Sequence, residues 1–196
     1  MSASTRIPSE RIAELTREPI AITPYDPAWP ARYAAEEARL KAALPGDLCT
    51  CIAHIGSTAV PGLSAKPVID IQVEVTDLGR VRIEVVPVMK QLGYEFIWRP
   101  SMGERAPWYA WFIARDGAGN RMVHVHMVEP DHATADRLLF RDYLRARPEA
   151  AAAYESLKRA LAQEFPNDRA AYTAHKSAFI QDALREARGT ATPPEA

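Results

Sequence analysis

The chain has 196 residues, with 24 basic and 25 acidic side chains and a formal net charge of −1. This length suits one domain with a substantial core, and the balanced charge gives no reason to expect binding to nucleic acid or to an acidic membrane. The sequence contains neither a run of about 18 uncharged apolar residues nor a signal-peptide core. We therefore expect a cytoplasmic protein that does not bind membranes, so any anion site must be local. Cys49 and Cys51 are expected to be reduced packing residues rather than a redox pair.

Both ends of the chain carry prolines and polar residues, which predicts loose termini. A helix is expected from Trp29 to Leu44, because apolar side chains recur at helical spacing there and Pro45-Gly46 follows as a stop. The chain thus divides into a loose N-terminus (1–22), a single domain (23–188) with a sheet part (about 48–129) and a helical part (about 132–188), and a flexible tail (189–196).

Strands and a further helix follow the first helix. Cys51 to Ile55 is short and apolar, and Val68 to Val75 alternates strictly between aliphatic and polar side chains, so both segments are predicted as strands. Leu78 to Leu92 is expected to be a helix interrupted at Pro87, with a short strand from Tyr94 to Trp98.

The segment PWYAWFIARDGAGNRMVHVHMVEP predicts two antiparallel strands joined by a turn at Asp116 to Asn120. Side chains alternate along a strand, so His124 and His126 point to the same face of the second one.

The C-terminal part, Ala133 to Arg188, is rich in helix-forming residues. Breaks at Pro148 and at Pro166 to Asp168 predict three helices, with Asp168 as an N-cap. The whole pattern indicates an α+β (mixed α/β) fold, in which a small mixed sheet has flanking helices and a C-terminal three-helix segment.

The stretch HIGSTAVPG has the composition of an anion-binding turn. A strand that leads into Gly56, Ser57 and Thr58 can present backbone N–H groups and two hydroxyls to a phosphate. A plain turn with an N-cap hydroxyl explains the same residues equally well. The spacing of a Walker A loop is absent, which disfavours P-loop kinase activity.

Three side chains are candidate metal ligands. Asp70 interrupts an aliphatic strand on the face opposite the core, where a carboxylate is paired, metal-bound or, beside Gln72 and Glu74, simply solvated. His124 and His126 can supply two metal ligands, or a general base and its orienting partner, if an acid lies across the sheet. Half-exposed structural histidines are the alternative.

Several cations could bind an anion. Lys66, just before Pro67, is either a phosphate partner or a solvated loop lysine, and Lys176 is either a surface lysine or a cation that points into a cleft. Arginines near the candidate strands and on the first C-terminal helix could form a local anion-binding patch: Arg99, Arg105, Arg115, Arg121 and Arg141.

Five segments together resemble the GrpB-like protein family, a bacterial group with the nucleotidyltransferase fold, over about Tyr25 to Leu184. They are YDPAWPARYAAEEARL, HIGSTAVPGLSAKPVIDIQVEV, HVHMVE, FRDYLRARPEAAAAYESLK and YTAHKSAFI. Members of this family are sometimes fused to dephospho-coenzyme A kinase domains, which suggests a nucleotide-related role.

The resemblance implies a nucleotide site with a divalent metal, Mg²⁺ or Mn²⁺. In nucleotidyltransferases a Gly-Ser turn binds phosphates and an Asp-x-Asp/Glu pair holds magnesium with a third carboxylate, so Gly56 and Ser57 match the turn and Asp70 matches the first acid. Gln72 stands at the second acidic position, and histidines stand where the third carboxylate is expected. Glutamine is a weaker ligand for Mg²⁺ and imidazole suits softer ions, which argues against a standard two-magnesium site.

Two hypotheses follow, with a nucleotide or a phosphorylated small molecule as the partner in both. The first is nucleotidyl transfer from a nucleoside triphosphate to an unknown acceptor. The second is a catalytically reduced accessory or sensor protein, and a metal-dependent hydrolase is a third, less favoured one. The expected phosphate-binding residues are Gly56, Ser57, Thr58, Lys66, Arg121, Arg141 and Lys176, and the expected metal and catalytic residues are Asp70, His124 and His126.

Overall fold

The computed structural model of the protein describes residues 19–100 and 108–189. Predictions for residues 1–18, for Arg105 and for 190–196 lie outside these ranges. In chain order the elements are α1 (Trp29–Ala43), β1 (Cys49–Ile55), a 3₁₀ helix (Ser57–Ala59), β2 (Ile69–Val75), α2 (Leu78–Arg80), a π-helical segment (Val81–Val85), α3 (Val86–Gln91), β3 (Glu95–Pro100), β4 (Trp108–Arg115), β5 (Arg121–Val128), α4 (His132–Ala146), α5 (Pro148–Glu164), α6 (Arg169–Ala174) and α7 (Ser177–Gly189).

The strands form one five-stranded sheet in the order β1-β2-β5-β4-β3. β2 and β5 pair in parallel, and the other three pairs are antiparallel. The predicted hairpin of β4 and β5 is confirmed, and so is the α+β class with a mixed sheet. The parallel pair places β5 directly beside β2, although more than forty residues separate them in sequence.

One face of the sheet carries the main core. Alternate residues of β2 and β5, such as Ile71 and Val125, are fully buried on it and pack with Leu40 of α1 and Met89 of α3. This burial explains the strict alternation of β2, because the aliphatic side chains gain about 25 cal/mol for each Å² removed from water. The polar alternates of the same strands therefore lie on the opposite face.

The C-terminal helices pack on the loop that follows β1. Val60 and Leu63 of this loop are buried against Tyr143 of α4, Tyr154 of α5 and Ala183 of α7. This contact brings α5 alongside the 3₁₀ helix at the end of β1, and it therefore determines which helical side chains can reach the Gly56-Ser57 turn.

The C-terminal segment forms four helices, so the prediction of three was wrong. Asp168 does cap α6, since its carboxylate accepts hydrogen bonds from the backbone N–H groups of Ala170 and Ala171, both at 3.0 Å. The additional break falls at His175 and Lys176. No proline or glycine marks that break, so composition gave no signal for it.

Other expectations need smaller adjustments. The predicted interruption near Pro87 is a π-helical segment that ends at Val85, and Pro87 lies in the first turn of α3. Ile20, expected to be in a loose terminus, is buried against Leu161 and Tyr172. Both cysteines are free thiols. None of the described helices is long and apolar enough to cross a bilayer.

Candidate functional site

The parallel pairing of β2 and β5 builds the centre of the site. Asp70 is the register partner of His124, and His126 follows two residues later on the same face. Asp70 Oδ1 lies 2.9 Å from His124 Nδ1 and 3.8 Å from His126 Nε2. One ligand atom from each of the three residues lies within 4.8 Å of the others. We call these three side chains the Asp-His-His group.

Burial and mutual contact determine the charges of this group. Burial lowers the pKa of His126 to about 4 and also lowers the pKa of His124. Burial alone raises the pKa of Asp70, but the hydrogen bonds and charges of the two imidazoles outweigh it and hold that pKa well below its usual range. At neutral pH the group is therefore an ionised carboxylate with neutral imidazoles, the protonation state that binds metal ions.

Gly56 lies directly against Asp70. Its φ of +73° is in the region that favours glycine, and a Cβ at this position would stand 2.8 Å from Asp70 Oδ2. The turn between β1 and the 3₁₀ helix therefore touches the carboxylate through bare backbone. Ser57, the next residue, is half-buried at the same place.

Three lysines from separate parts of the chain surround this turn, and we call Lys66, Lys158 and Lys176 the lysine cluster. Lys158 of α5 donates to Ser57 Oγ at 3.1 Å and also to the Ser64 carbonyl. Lys66 and Lys176 both lie over the ring of Tyr172, at 5.4 and 4.4 Å from its centroid. Lys158 thus contacts the turn directly, and the charges of Lys66 and Lys176 act on Lys158.

Burial and neighbouring cations disfavour the charged forms of the three lysines. Burial, followed by the charges of neighbouring cations, lowers the pKa of Lys66 and of Lys158 to about 7. Burial lowers the pKa of Lys176 to about 8, although the nearby charge of Asp70 acts in the opposite direction. An anion placed among these ammonium groups would favour their charged form, which is the property expected of a phosphate site.

Ser64 anchors the loop that carries the turn to α5. The Glu155 carboxylate accepts from the Ser64 backbone N–H at 2.9 Å and from its hydroxyl at 2.8 Å. Arg159 also donates to the Ser64 hydroxyl, at 2.9 Å. These bonds hold Lys158 at a fixed position relative to Ser57.

Two of the predicted phosphate residues make other contacts. The hydroxyl of Thr58 is buried, donates to the Val68 carbonyl at 3.2 Å and lies 3.0 Å from His54 Nε2. Arg141 donates to the His54 carbonyl at 2.9 Å and pairs with the carboxylate of Asp142. The structure thus places both in contacts that join β1 to its surroundings, and it does not bring them to the lysine cluster.

Arg121 lies between the two parts of the site. Its guanidinium is 5.5 Å from the centroid of Trp111, and its charge lowers the pKa values of His124 and Lys66, after the larger effect of burial. The structure therefore brings together most of the predicted residues: Gly56, Ser57, Lys66, Asp70, Arg121, His124, His126 and Lys176.

Lys158 is the site residue that the sequence analysis missed. It is only 2 % exposed and lies in the buried stripe of α5, between Tyr154 and Leu161. A lysine at a core position of a helix was the available signal, because a buried ammonium needs partners that a surface lysine does not.

Gln72 is turned away from the Asp-His-His group. It is 1 % exposed, and its amide donates to the Thr134 carbonyl of α4 and to Glu74, both at 3.2 Å. Its oxygen accepts from Arg137 at 3.4 Å. The side chain is therefore used in packing α4 onto the sheet, and the candidate ligands that lie close together among the described residues are one carboxylate and two imidazoles.

This donor set fits a single divalent transition metal and does not fit a pair of magnesium ions. Two neutral imidazoles and one carboxylate suit Mn²⁺, Fe²⁺, Co²⁺ or Zn²⁺, whereas two Mg²⁺ ions require further oxygen ligands. Asp70, His124 and His126 would hold the ion, each neutral imidazole through one ring nitrogen while its proton stays on the other.

A mixed sheet with an Asp-His-His group beside a lysine-lined turn defines the class: an α+β protein with a candidate metal and anion site on one sheet face. The sequence model described as "GrpB protein" matches residues 19–186, and the chain belongs to this family. The resemblance seen in its motifs is thereby confirmed.

Three known proteins illustrate this relationship. A UPF0157 protein of Pseudomonas aeruginosa is 38% identical over 192 residues, which are 96% of this chain and 76% of that protein. The crystal structure of conserved protein GrpB from Enterococcus faecalis has a TM-score of 0.72 and 35% identity, covering 87% of this chain and 98% of the other. A dephospho-CoA kinase of Mycolicibacterium paratuberculosis is 33% identical over 195 residues, 89% of this chain but 47% of that protein.

Proposed function

We propose that the protein binds the phosphates of a nucleoside triphosphate at the Gly56-Ser57 turn and, with one divalent metal, transfers the nucleotidyl group to an acceptor. The observation that carries this proposal is the position of Lys158, whose ammonium group lies 3.1 Å from Ser57 Oγ at the edge of a turn that touches Asp70. An ammonium group, a hydroxyl and a carboxylate that could bind a metal ion thus lie at or beside the same turn.

The chain's own residues supply the anion-binding part. Lys66, Lys158 and Lys176 neutralise phosphate charge, and Ser57 offers its hydroxyl from the backbone turn. Because the lysine cluster is largely shielded from water, its charge acts on a phosphate with little screening. The same lysines would orient the phosphate chain along the face that leads to Asp70.

The Asp-His-His group supplies the metal-binding part. A bound divalent ion would neutralise phosphate charge and favour attack at phosphorus. Asp70 stays ionised next to the two imidazoles, and Gly56, which has no side chain, leaves room for its carboxylate. The group therefore needs no large rearrangement to accept an ion.

Gln72 supports a second candidate, a protein that binds the nucleotide or a phosphorylated metabolite without transferring it. A second carboxylate is missing at this position, and the amide is held by α4 instead. Binding of an anion does not need the second carboxylate, whereas two-metal transfer does.

The test separates binding from transfer. The protein is mixed with each nucleoside triphosphate and with Mn²⁺ or Mg²⁺, and its melting temperature and the release of pyrophosphate are measured. We expect one triphosphate with Mn²⁺ to raise the melting temperature by about 5 °C or more at 100 times its Kd. Binding with no pyrophosphate release for a broad set of acceptors would favour the accessory protein. No stabilisation by any triphosphate would contradict nucleotidyl transfer and leave, of the second candidate, only the binding of a phosphorylated metabolite.

A pair of matched variants tests whether triphosphates bind at the lysine cluster. Lys158→Met should weaken triphosphate binding by about tenfold or more, since a hydrogen bond to a charged group contributes about 1.5–3 kcal/mol. Lys41→Met removes the same charge from α1, where Lys41 pairs with Glu37 on the surface, and should leave binding unchanged. Equal effects of the two variants would indicate a general charge effect rather than a site.

A further inference from the structure

A second group of cations lies on the same sheet face, on the other side of the Asp-His-His group. Arg99 of β3 lies over Trp111 of β4, with its guanidinium carbon 4.7 Å from the ring centroid. Arg137 of α4 lies 6.0 Å from the centroid of Tyr109. We call these four residues the arginine-aromatic patch.

The arginine-aromatic patch is continuous with the Asp-His-His group. The ring of Trp111 stacks near His126 with centroids 6.1 Å apart, and the ring of Tyr109 lies 5.6 Å from the same imidazole. The indole N–H of Trp111 is buried and has no hydrogen-bond acceptor among the described residues. An unsatisfied buried donor beside two guanidinium groups is a feature that an anion would complete.

The patch and the lysine cluster are separate. Lys158 reaches the end of β1, whereas Arg99 is on β3, and these strands are at opposite edges of the five-stranded sheet. At about 4.8 Å per strand the two edges are roughly 19 Å apart, which puts Arg99 and the lysine cluster on opposite sides of the Asp-His-His group. The face therefore offers two positions for negative charge, with the Asp-His-His group between them.

We infer that the arginine-aromatic patch is a second anion subsite, which binds an acidic or phosphorylated acceptor while the lysine cluster binds the triphosphate. The identification of the ligand as the acceptor rests on the proposed function, whereas the existence of an anion subsite does not. Guanidinium groups bind phosphate and carboxylate through paired N–H groups, and aromatic rings beneath them hold their planes in place. The substrate class is thus a small anionic molecule rather than a neutral one.

The indole N–H resonances of the four tryptophans provide the test without nucleotide or metal. Each resonance is assigned by a single Trp→Phe variant, and the full chain is titrated with inorganic phosphate, with acetate, and with ribose 5-phosphate against ribose. We expect the Trp111 resonance to move saturably with the anions and not with ribose. Movement with phosphate and ribose 5-phosphate but not with acetate would indicate a phosphorylated ligand. Movement with acetate as well would indicate a subsite that also accepts a carboxylate.

Three variants test whether the response of Trp111 to anions depends on the arginine-aromatic patch. Arg99→Gln should weaken the response of Trp111 by about tenfold. Arg82→Gln is the matched control, because Arg82 lies 5.2 Å from the centroid of Trp98, on the other face of β3, and it should leave the response unchanged. Lys176→Met should also leave it unchanged while weakening triphosphate binding.

Three outcomes would overturn the inference: an Arg99→Gln protein that titrates like the unmodified chain, equal losses in Arg99→Gln and Arg82→Gln, or a response that disappears in Lys176→Met. Failure of triphosphates to bind would contradict the proposed function only, since the Trp111 response is measured without them.

Discussion

A side chain at residue 56 would collide with Asp70: a Cβ built on Gly56 lies 2.8 Å from Asp70 Oδ2 and 3.3 Å from its Cβ. Gly56 also has φ +73° and ψ −175°, a combination that only glycine adopts readily. The turn that precedes Ser57 and the acid on β2 are therefore fitted to each other. The Asp70 carboxylate can occupy its position because Gly56, at the end of the neighbouring strand β1, has no side chain.

Gly56→Ala should destabilise the protein by about 2–4 kcal/mol, since alanine meets both an unfavourable backbone conformation and the Asp70 carboxylate. The free energy of unfolding, from urea denaturation, is the measurement. Gly62→Ala is the control: Gly62 also has a positive φ, +78°, but a Cβ there has no neighbour within 4 Å. It should cost about 1 kcal/mol. Equal losses in the two variants would show that the contact with Asp70 has no effect.

Asp70→Asn should leave the protein folded and weaken Mn²⁺ or Zn²⁺ binding by at least about tenfold, because the amide keeps an acceptor for His124 but loses the charge. The measurement is titration calorimetry, with circular dichroism for the fold. Glu74→Gln changes an acid on the same strand that contacts Gln72, and it should not alter metal affinity. Unchanged affinity in Asp70→Asn would exclude Asp70 as a metal ligand, and loss of the fold in this variant would mark Asp70 as a structural residue.

The sequence predicted the parts of the site better than their arrangement. Alternation along β2 placed Asp70 opposite the core, because a strand has a period of two and its aliphatic side chains must share one face. The same argument put His124 and His126 together. That Asp70 meets them depends on parallel pairing of β2 with β5, which no local pattern specifies.

Residues whose role depends on packing were harder to predict. Thr58 was expected among the phosphate ligands, but its hydroxyl is held inside the loop by Val68 and His54. Lys158 was overlooked, because a lysine in an amphipathic helix is usually on the surface and only the contact of α5 with the loop after β1 buries it. In both cases the tertiary contact, and not the residue type, determines which group faces the turn.

Glu155→Gln should destabilise the protein by about 1–2 kcal/mol, because the amide can accept only one of the two hydrogen bonds from Ser64. Burial alone raises the pKa of Glu155, but these bonds and Arg159 outweigh it and lower that pKa from its ordinary 4.5. Because its pKa is lowered in the folded state, ionised Glu155 stabilises the fold at pH values above its ordinary pKa. This stabilisation is lost as the pH falls through the lowered pKa.

Urea denaturation at pH 7 and at pH 3 checks both statements. The difference between Glu155→Gln and the unmodified chain should be present at pH 7 and smaller at pH 3. Glu164→Gln removes an exposed acid from the same helix and should have little effect at either pH. A constant difference at both values would show that the charge of Glu155 does not contribute.

Sulfate binding should weaken as the pH rises from about 6 to 9, because the pKa values of Lys66 and Lys158 are lowered to about 7 and that of Lys176 to about 8. Below these values the three ammonium groups are charged, and above them they lose the proton that attracts the anion. Sulfate keeps its double charge throughout this range, so any change comes from the protein.

Calorimetry in two buffers with different ionisation enthalpies should show proton uptake when sulfate binds at pH 8, since the anion favours the charged lysines. Lys158→Met should reduce both the affinity and the number of protons taken up, because it removes the ammonium group that contacts Ser57. Lys41→Met, on the surface of α1, should change neither. An affinity that is the same at pH 6 and at pH 9 would mean that the lysine cluster does not titrate in this range, and anion binding would then have to depend on the arginines.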